Sequence, residues 1–476
     1  MKPNLKIIVA LTFLACYSNA TSLTALADVK QAAIQVSKSW NEVSQPDAAE
    51  PGTVLIGGFP DRQWWQKFQD PHLDTYIHAA LQNNPTLNAS LQTVAQSRAL
   101  TAQAFSKELP SVTLSPSAYR IALPDNVKGA LPLETPLRLY NLPLQAAYEL
   151  DLWGKNLDII RSSRRQAESA ELQSHAVLNT VVGDVASAYF NLLRMDALIE
   201  SQQKNLGLLQ RVATLKASQH QAGLLSLDAV LLAQRDAAES EMNLASFRQQ
   251  QAVFAHQLSI LTGSPPASAA QLPRATLEAL SLPLETEVGS PGELLTRRPD
   301  VLAQEKMLES SRIDVRVARK AFLPSVNLGA MVGAGALGFR NLWDWGNVFN
   351  MQSLALSQPI FQGGKLKAEL NYRKAKQKEA LETYRQVILM AMKDVEDSLS
   401  TLKTGYDGLN SSNQQLVLTE NSLRLTDSRF QQGLVPKLDV LQAESEQMRY
   451  RQSAIRSKAD TAIATISLYK ALGGGY

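Results

Sequence analysis

From Asn141 to Leu152 the even positions are apolar: Leu142, Leu144, Ala146, Tyr148, Leu150 and Leu152. The odd positions include Asn141, Gln145, Glu149 and Asp151, with Pro143 and Ala147 as exceptions. A period of two gives a β-strand one apolar and one polar face, and about 12 residues at ~3.3 Å each cross a bilayer when tilted. Val112, Leu114 and Ala118 alternate with Ser111, Thr113, Ser115 and Ser117, and Val326, Leu328, Ala330 and Val332 continue the theme. The stretch from Phe349 to Phe361 alternates less cleanly. Strands are therefore expected over about 111–123, 139–153, 325–338 and 348–361. Elsewhere the apolar spacing is three and four: Val181, Val185, Ala188, Leu192, Met195 and Ile199; Phe247, Gln251, Phe254, Leu258 and Leu261; Val395, Leu399, Leu402, Tyr406 and Leu409. That is a coiled-coil seam. A first long helix from Leu157 to Gln219 would run ~95 Å, a length that fits an extended bundle.

The chain also matches itself. Asn84-Pro85 aligns with Arg298-Pro299 and Leu109-Pro110-Ser111 with Leu323-Pro324-Ser325, both at an offset of 214. Gly154-Lys155 aligns with Gly364-Lys365, Gly223-Leu224 with Gly433-Leu434 and Gly263 with Gly473, all at 210. Such self-similarity marks a tandem repeat, and the four-residue change belongs in a hairpin loop between Pro110 and Lys155. The repeats are expected over 60–265 and 290–476, joined by a Pro- and Ser-rich linker at 266–289. Ser290-Pro291-Gly292-Glu293 reads as a helix start with a capping box. Each half has the order helix, strand pair, long helix, tight turn, long helix. The fold class is mainly α with a membrane β-barrel portion.

Four strands cannot close a barrel, and open edges are not tolerated in lipid. Three chains would supply 12 strands, with room inside for solutes; two would supply eight, whose interior fills with side chains. Tyr140, Tyr148, Trp153, Phe339, Trp343, Trp345 and Phe349 lie at or near strand ends, where a barrel carries its aromatic girdle.

The N-terminus reads as an export signal over residues 1–27. Lys2 and Lys6 precede a short apolar core, Ile7 to Ala15, and small-x-small sites end at Ala20 and Ala27. Cys16, the only cysteine, follows Phe13-Leu14-Ala15 and is a candidate for lipidation, with cleavage before it. Charged residues make up 19% of the chain and the net charge is +3, with Lys and Arg dispersed, which argues against nucleic-acid binding. Gly333-Ala334-Gly335-Ala336-Leu337-Gly338 matches GxGxxG, but Phe339-Arg340-Asn341-Leu342-Trp343 reads as a loop where a dinucleotide site needs a helix. The five histidines form no metal-binding set, and no P-loop or nucleophile elbow is present. No cofactor, metal site or enzymatic activity is expected.

Trp65, Phe68-Gln69-Asp70-Pro71 and Asn84-Pro85 resemble the opening of the TolC-like outer-membrane efflux proteins, in their nodulation-protein-related drug-efflux branch. Arg297-Arg298-Pro299-Asp300-Val301 resembles the start of that family's second repeat. Tyr148 to Lys155 and Pro359 to Lys365 resemble its strand-to-helix junctions, and Leu468 to Tyr476 its C-terminal signature. The resemblance covers nearly the whole mature chain. It implies a homotrimer with a 12-stranded barrel in the outer membrane of a Gram-negative bacterium and a periplasmic tunnel of 12 long helices. That tunnel would receive drugs, toxic compounds or metal ions from a periplasmic adaptor (a membrane fusion protein) and a proton-driven inner-membrane pump of the resistance-nodulation-division type. The exit duct of a type I protein-secretion system is the alternative, with the same fold and a different partner. In this family the adaptor contacts the helical turns through a pattern like Arg-x-x-x-Gly-Leu-x-Ser/Thr. Here that implies Arg429, Gly433 and Leu434 in the second repeat, where Pro436 replaces Ser/Thr. In the first it implies Gly223, Leu224 and Ser226, where Gln219 replaces Arg. Asp427 and Arg424, just before the second turn, are the gate candidates.

Overall fold

The computed structural model describes Trp40 and residues 53–56, 58, 61–122, 136–283 and 285–474. Cys16 and the rest of the signal region lie outside them. Strand β1 (Thr53–Ile56) leads to a short 3-10 turn, Trp64–Phe68. Asp70 and Asn84 then sit in extended backbone, each ahead of a proline, and each caps the next helix. Asp70 accepts from His72 N at 2.9 Å to start α1 (Pro71–Asn83), and Asn84 accepts from Leu87 N at 3.0 Å to start α2 (Pro85–Phe105). Proline suits that first helical position because its missing N–H has no intrahelical partner anyway.

The strands of the sheet follow as β2 (Ser111–Leu114), β3 (Ser117–Ile121) and β4 (Leu137–Leu150). The strand expected over 111–123 is thus two pieces, interrupted at Ser115-Pro116, although Ser115 N still bonds Pro143 O at 3.1 Å. Helices α3 (Lys155–Gln221) and α4 (Leu227–Leu261) complete the first repeat. Between the repeats, β5 (Glu285–Val288) pairs in parallel with β1, so the segment read as a linker carries a strand. Helix α5 (Pro291–Leu294) opens with the capping box read from sequence: Glu293 N bonds Ser290 Oγ at 3.4 Å, and Ser290 N bonds Glu293 Oε2 at 3.1 Å. Then come α6 (Pro299–Lys320), β6 (Ser325–Ala336), β7 (Val348–Ser357), α7 (Lys365–Gln431) and α8 (Lys437–Ala471). The last strand, expected to reach 361, stops at Ser357, two residues before Pro359, which has no N–H for a ladder. Helices α3 and α7 each hold 67 residues, and α4 and α8 each hold 35, so the ends of these four helices keep the offset of 210. The β3–β4 connection is four residues longer than the β6–β7 connection, which is where the offset changes.

The helices form a wall four wide. In its upper half the neighbours run α2, α3, α6, α7; in its lower half they run α4, α3, α8, α7. Helices α3 and α7 span both halves. The apolar core sits at mid-length. Val181, Val185, Tyr189, Phe190 and Leu192 of α3 pack with Trp64, Phe68, Ile77, Leu258, Ile466 and Tyr469. A second cluster joins Val395, Leu399 and Leu402 to Leu468, Leu472 and Trp40, whose indole donates to Gly289 O at 2.8 Å. Trp40 lies upstream of residue 60, yet it docks on the second repeat. The motif residues Trp65, Phe68 and Asp70 are buried here as packing, and Asp70 Oδ2 accepts from the Tyr189 hydroxyl at 2.5 Å.

The repeat-equivalent Asn84 and Arg298 do the same job with different chemistry. Asn84 Nδ2 donates to Leu261 O at 2.8 Å, closing α4 onto the start of α2. Arg298 Nη1 donates to Ala471 O at 3.1 Å, closing α8 onto the start of α6, while its guanidinium also bonds Asp300 and Asp394.

Candidate functional site

The sheet order is β2/β3, β4, β6, β7, all antiparallel, with β2 and β3 on the same side of β4. Register assigns each row to a face, since Cα partners share a side and successive residues alternate. One face carries Leu150, Val326 and Leu356 in one row, Tyr148, Leu328 and Leu354 in the next, and Leu114, Leu144 and Val332 higher up. The other carries Ser111, Thr113, Gln145, Glu149, Asn327, Ser353 and Ser357. Leu354 and Leu356 are each 72% exposed and Val112 is 64% exposed, so an apolar surface lies open on one side of a single layer. From Leu150 to Tyr140 the strand runs ~33 Å, which at the usual barrel tilt gives an apolar band ~25 Å tall.

Tyr140 and Phe339 stack edge-on at 5.6 Å at one end of this band, and Trp343 and Trp345 are exposed beside them. Phe349 departs from the girdle expectation. It falls on the polar face, in register with Gly333, and covers the glycines of the GxGxxG segment. A Cβ on Gly333 would lie 2.8 Å from Leu142 O and 3.1 Å from the Phe349 ring. The glycines are thus strand positions that let the backbones and this ring approach.

Where the strands pass into α3, Trp153 Nε1 donates to Pro324 O at 2.6 Å and Lys155 Nζ to Glu149 Oε1 at 2.6 Å. One turn on, the Asp158 side chain is only 2% exposed. It takes Lys320 Nζ at 2.7 Å, Arg161 at 3.2 Å and Arg316 at 3.4 Å, joining the start of α3 to the end of α6. Burial by itself would raise its pKa; the Lys320 hydrogen bond and the charges of Arg316 and Lys320 outweigh that and hold the carboxyl below its usual value. Nothing in the local sequence marks this cluster, since Arg316 and Lys320 lie some 160 positions from Asp158.

The two turns at the far end of the wall share one geometry. Gly223 N bonds His220 O and Leu224 N bonds Gln219 O, both at 2.8 Å. Gly433 N bonds Phe430 O at 2.8 Å and Leu434 N bonds Arg429 O at 2.9 Å. These are Schellman closures, which need a left-handed residue, and the glycines have φ of 75° and 73°. A Cβ on either would meet nothing within 4 Å, so conformation and not space calls for glycine. Leu224 and Leu434 point out, 73% and 68% exposed. Ser226 caps α4 by accepting from Ala229 N at 3.4 Å; Pro436 takes that place before α8 and makes no side-chain cap. Arg429 is exposed, and Lys437 lies 5.1 Å over the Phe430 ring. Arg424 donates to Asn421 Oδ1 at 3.0 Å and Asp427 accepts from Gln431 at 2.9 Å, so the gate candidates bond within their own helix and not to each other. Among the described residues no group of His, Cys, Asp or Glu is arranged to hold a metal.

The sequence profile of the outer membrane efflux proteins matches residues 76–264 and 290–474, one match per repeat. The chain belongs to this family. It is 32% identical over 425 residues to the pyoverdine export outer membrane protein OpmQ of Pseudomonas aeruginosa, covering 87% of this chain and 88% of that one. It is 28% identical over 412 residues to the solvent efflux pump outer membrane protein SrpC of Pseudomonas putida, covering 86% of each. The crystal structure of the outer membrane protein VceC of Vibrio cholerae superposes with a TM-score of 0.77 at 26% identity, over 88% of this chain and all of that one. The outer-membrane channel OprN, at 23% identity, shares the fold with a TM-score of 0.81 over 93% and 97%. This chain is an efflux protein of the Gram-negative outer membrane.

Proposed function

We propose that three copies close head to tail into a passive, non-enzymatic duct that carries small molecules outward from a periplasmic adaptor and a proton-driven inner-membrane pump. The observation that carries this reading is the agreement of the two layers' edges. The sheet is open at β2/β3 and β7; the wall is open at α2/α4 and α7. Each edge strand continues into or from the edge helix on its own side. Because β7 runs antiparallel to β2/β3, one copy's β7 extends the next copy's sheet without breaking its pattern. A heterologous contact of this kind closes into a ring when the rotation from copy to copy completes a circle. Helix α7 has no buried residue before Ile388, and Ile360 and Phe361 just ahead of it are each 88% exposed, which suits a neighbour along that side. The open face of Leu328, Val332, Leu354 and Leu356 suits lipid, and the Gln, Asn and Ser face suits a wet lumen.

Gly223, Leu224 and Ser226 with Arg429, Gly433 and Leu434 are the adaptor contacts of this reading. Asp427 and Arg424 form the narrowing that holds the duct shut. Small organic cargo follows from the relatives, whose names specify pyoverdine and solvents. The test is planar-bilayer conductance of the detergent-purified protein and of an Asp427→Ala, Arg424→Ala double variant. Wild type is expected to conduct little and the variant to conduct more. Equal, low conductance in both would remove the gate assignment alone. A wild-type chain that never inserts and runs as a monomer without detergent would overturn the duct.

A further inference from the structure

Above the row where β4 leaves β6, at Tyr140 and Ala336, the β3–β4 pair continues alone. In that extension Arg120 and Arg138 are direct register partners. Both lie at even steps from Ala118 and Tyr140, so both project from the face that is apolar below them. Like charges directly opposite in an antiparallel pair repel each other, and both residues are exposed. Among the described residues neither guanidinium has a hydrogen-bond or ion-pair partner. The site stands one row beyond the Tyr140–Phe339 aromatic pair, about 5 Å higher along the membrane normal at the usual rise and tilt. That is the level of lipid headgroups just outside the hydrocarbon. Arg340, next to Phe339, adds a third cation to this rim, with Asp344 in the same connection.

We propose that Arg120 and Arg138 clasp a phosphate of an anionic lipid headgroup in the outer leaflet. The chemistry fits. A guanidinium offers a planar fork of donors to phosphate oxygens, and two forks facing across one strand gap can bracket a single group. A phosphate placed there turns the repulsion between the arginines into attraction. The acyl chains then run down over Leu142, Leu144, Ala334 and Val332, the apolar rows beneath. The proposal rests on that face meeting lipid, which belongs to the barrel reading above. A free phosphate ion would satisfy the charges but would leave the apolar rows unused, so the occupant is a lipid.

Native mass spectrometry of the detergent-purified protein separates the possibilities, because oligomer mass and bound lipid are read together. Wild type is titrated with bisphosphorylated lipid A, with its dephosphorylated form, and with inorganic phosphate. Expected are trimers that retain the phosphorylated lipid, retain the dephosphorylated form weakly, and keep the lipid when inorganic phosphate is added. Arg120→Gln, Arg138→Gln should reduce retention by about tenfold or more. Arg120→Lys, Arg138→Lys keeps the charge without the fork and should fall between. If the double Gln variant yields no trimer, the Lys pair and the single Arg138→Gln variant are read instead. Equal retention by wild type and these variants, equal retention of both lipids, or displacement by inorganic phosphate would overturn the clasp while leaving the trimer mass intact. A wild-type monomer mass would overturn the barrel reading and the clasp with it.

Discussion

Asp158 shows how much a single side chain holds in this molecule. Its carboxylate is buried where the sheet meets the wall, and three cations from two helices converge on it. Asp158→Asn leaves those cations without their anion. The expected loss is about 2 kcal/mol, below that of a fully buried pair because Arg161 and Arg316 are about half exposed. The sign of the pH effect follows from the lowered pKa. A depressed folded-state value means the ion cluster stabilises fully above the ordinary carboxylate range and is lost as pH falls through the folded value. Wild type should therefore lose stability below about pH 4, and the Asn variant should show a shallower acid limb over that window. Thermal melts of both proteins across pH 2.5 to 7 measure it, and parallel curves would refute the assignment. This cluster was not legible in the sequence, because Asp158 and Lys320 meet only after both repeats are folded. The Asn84–Arg298 correspondence was legible as a position but not as chemistry, since one residue bonds a carbonyl through an amide and the other through a guanidinium network.

At the scale of elements, the long helices and their turns were readable because local rules set them. The heptad-like positions on α3 from Val181 to Met195 are all buried, and the turn glycines have the left-handed backbone that their place after a helix demands. Strand β4 was readable because its two faces differ in what they meet. Strand β7 was readable as a strand but not by face or end: Asn350 and Gln352 fall on the otherwise apolar face, and Phe349 and Met351 on the other. Strand β5 was hidden because a four-residue parallel pair has too short a period to register, and its partner lies more than 200 positions upstream. The turn geometry makes its own prediction. Gly433→Ala meets no steric obstacle, so the cost is backbone strain of about 1–2 kcal/mol. Hydrogen exchange should speed up locally, over the end of α7 and the start of α8, with the mid-length core unchanged. Unaltered exchange at the turn would show that the left-handed backbone is not needed there.

For the whole molecule, the two faces of the sheet should respond in opposite ways to the same charge. Val332 sits near mid-height on the apolar face and Met331 beside it on the polar face. Val332→Arg should cost about 2–4 kcal/mol in each copy and block stable insertion. Met331→Arg should insert normally and shift conductance toward anions. Folding into bilayers, followed by heat-modified gel mobility, reads the first effect, and reversal potentials in a salt gradient read the second. The opposite pattern would mean that the faces have been assigned the wrong way round.

The placement of the core has a mechanical consequence. The wall is held by large buried side chains near the middle of α3, while the Gly223 turn lies some 30 residues further along, ~45 Å away at helical rise. The middle acts as a fulcrum and the lower helices as long arms. A tilt of about 5° there carries the turn ~4 Å, with little repacking at the pivot. Force applied at the turns works at full leverage, so a partner that grips them weakly can still move them far.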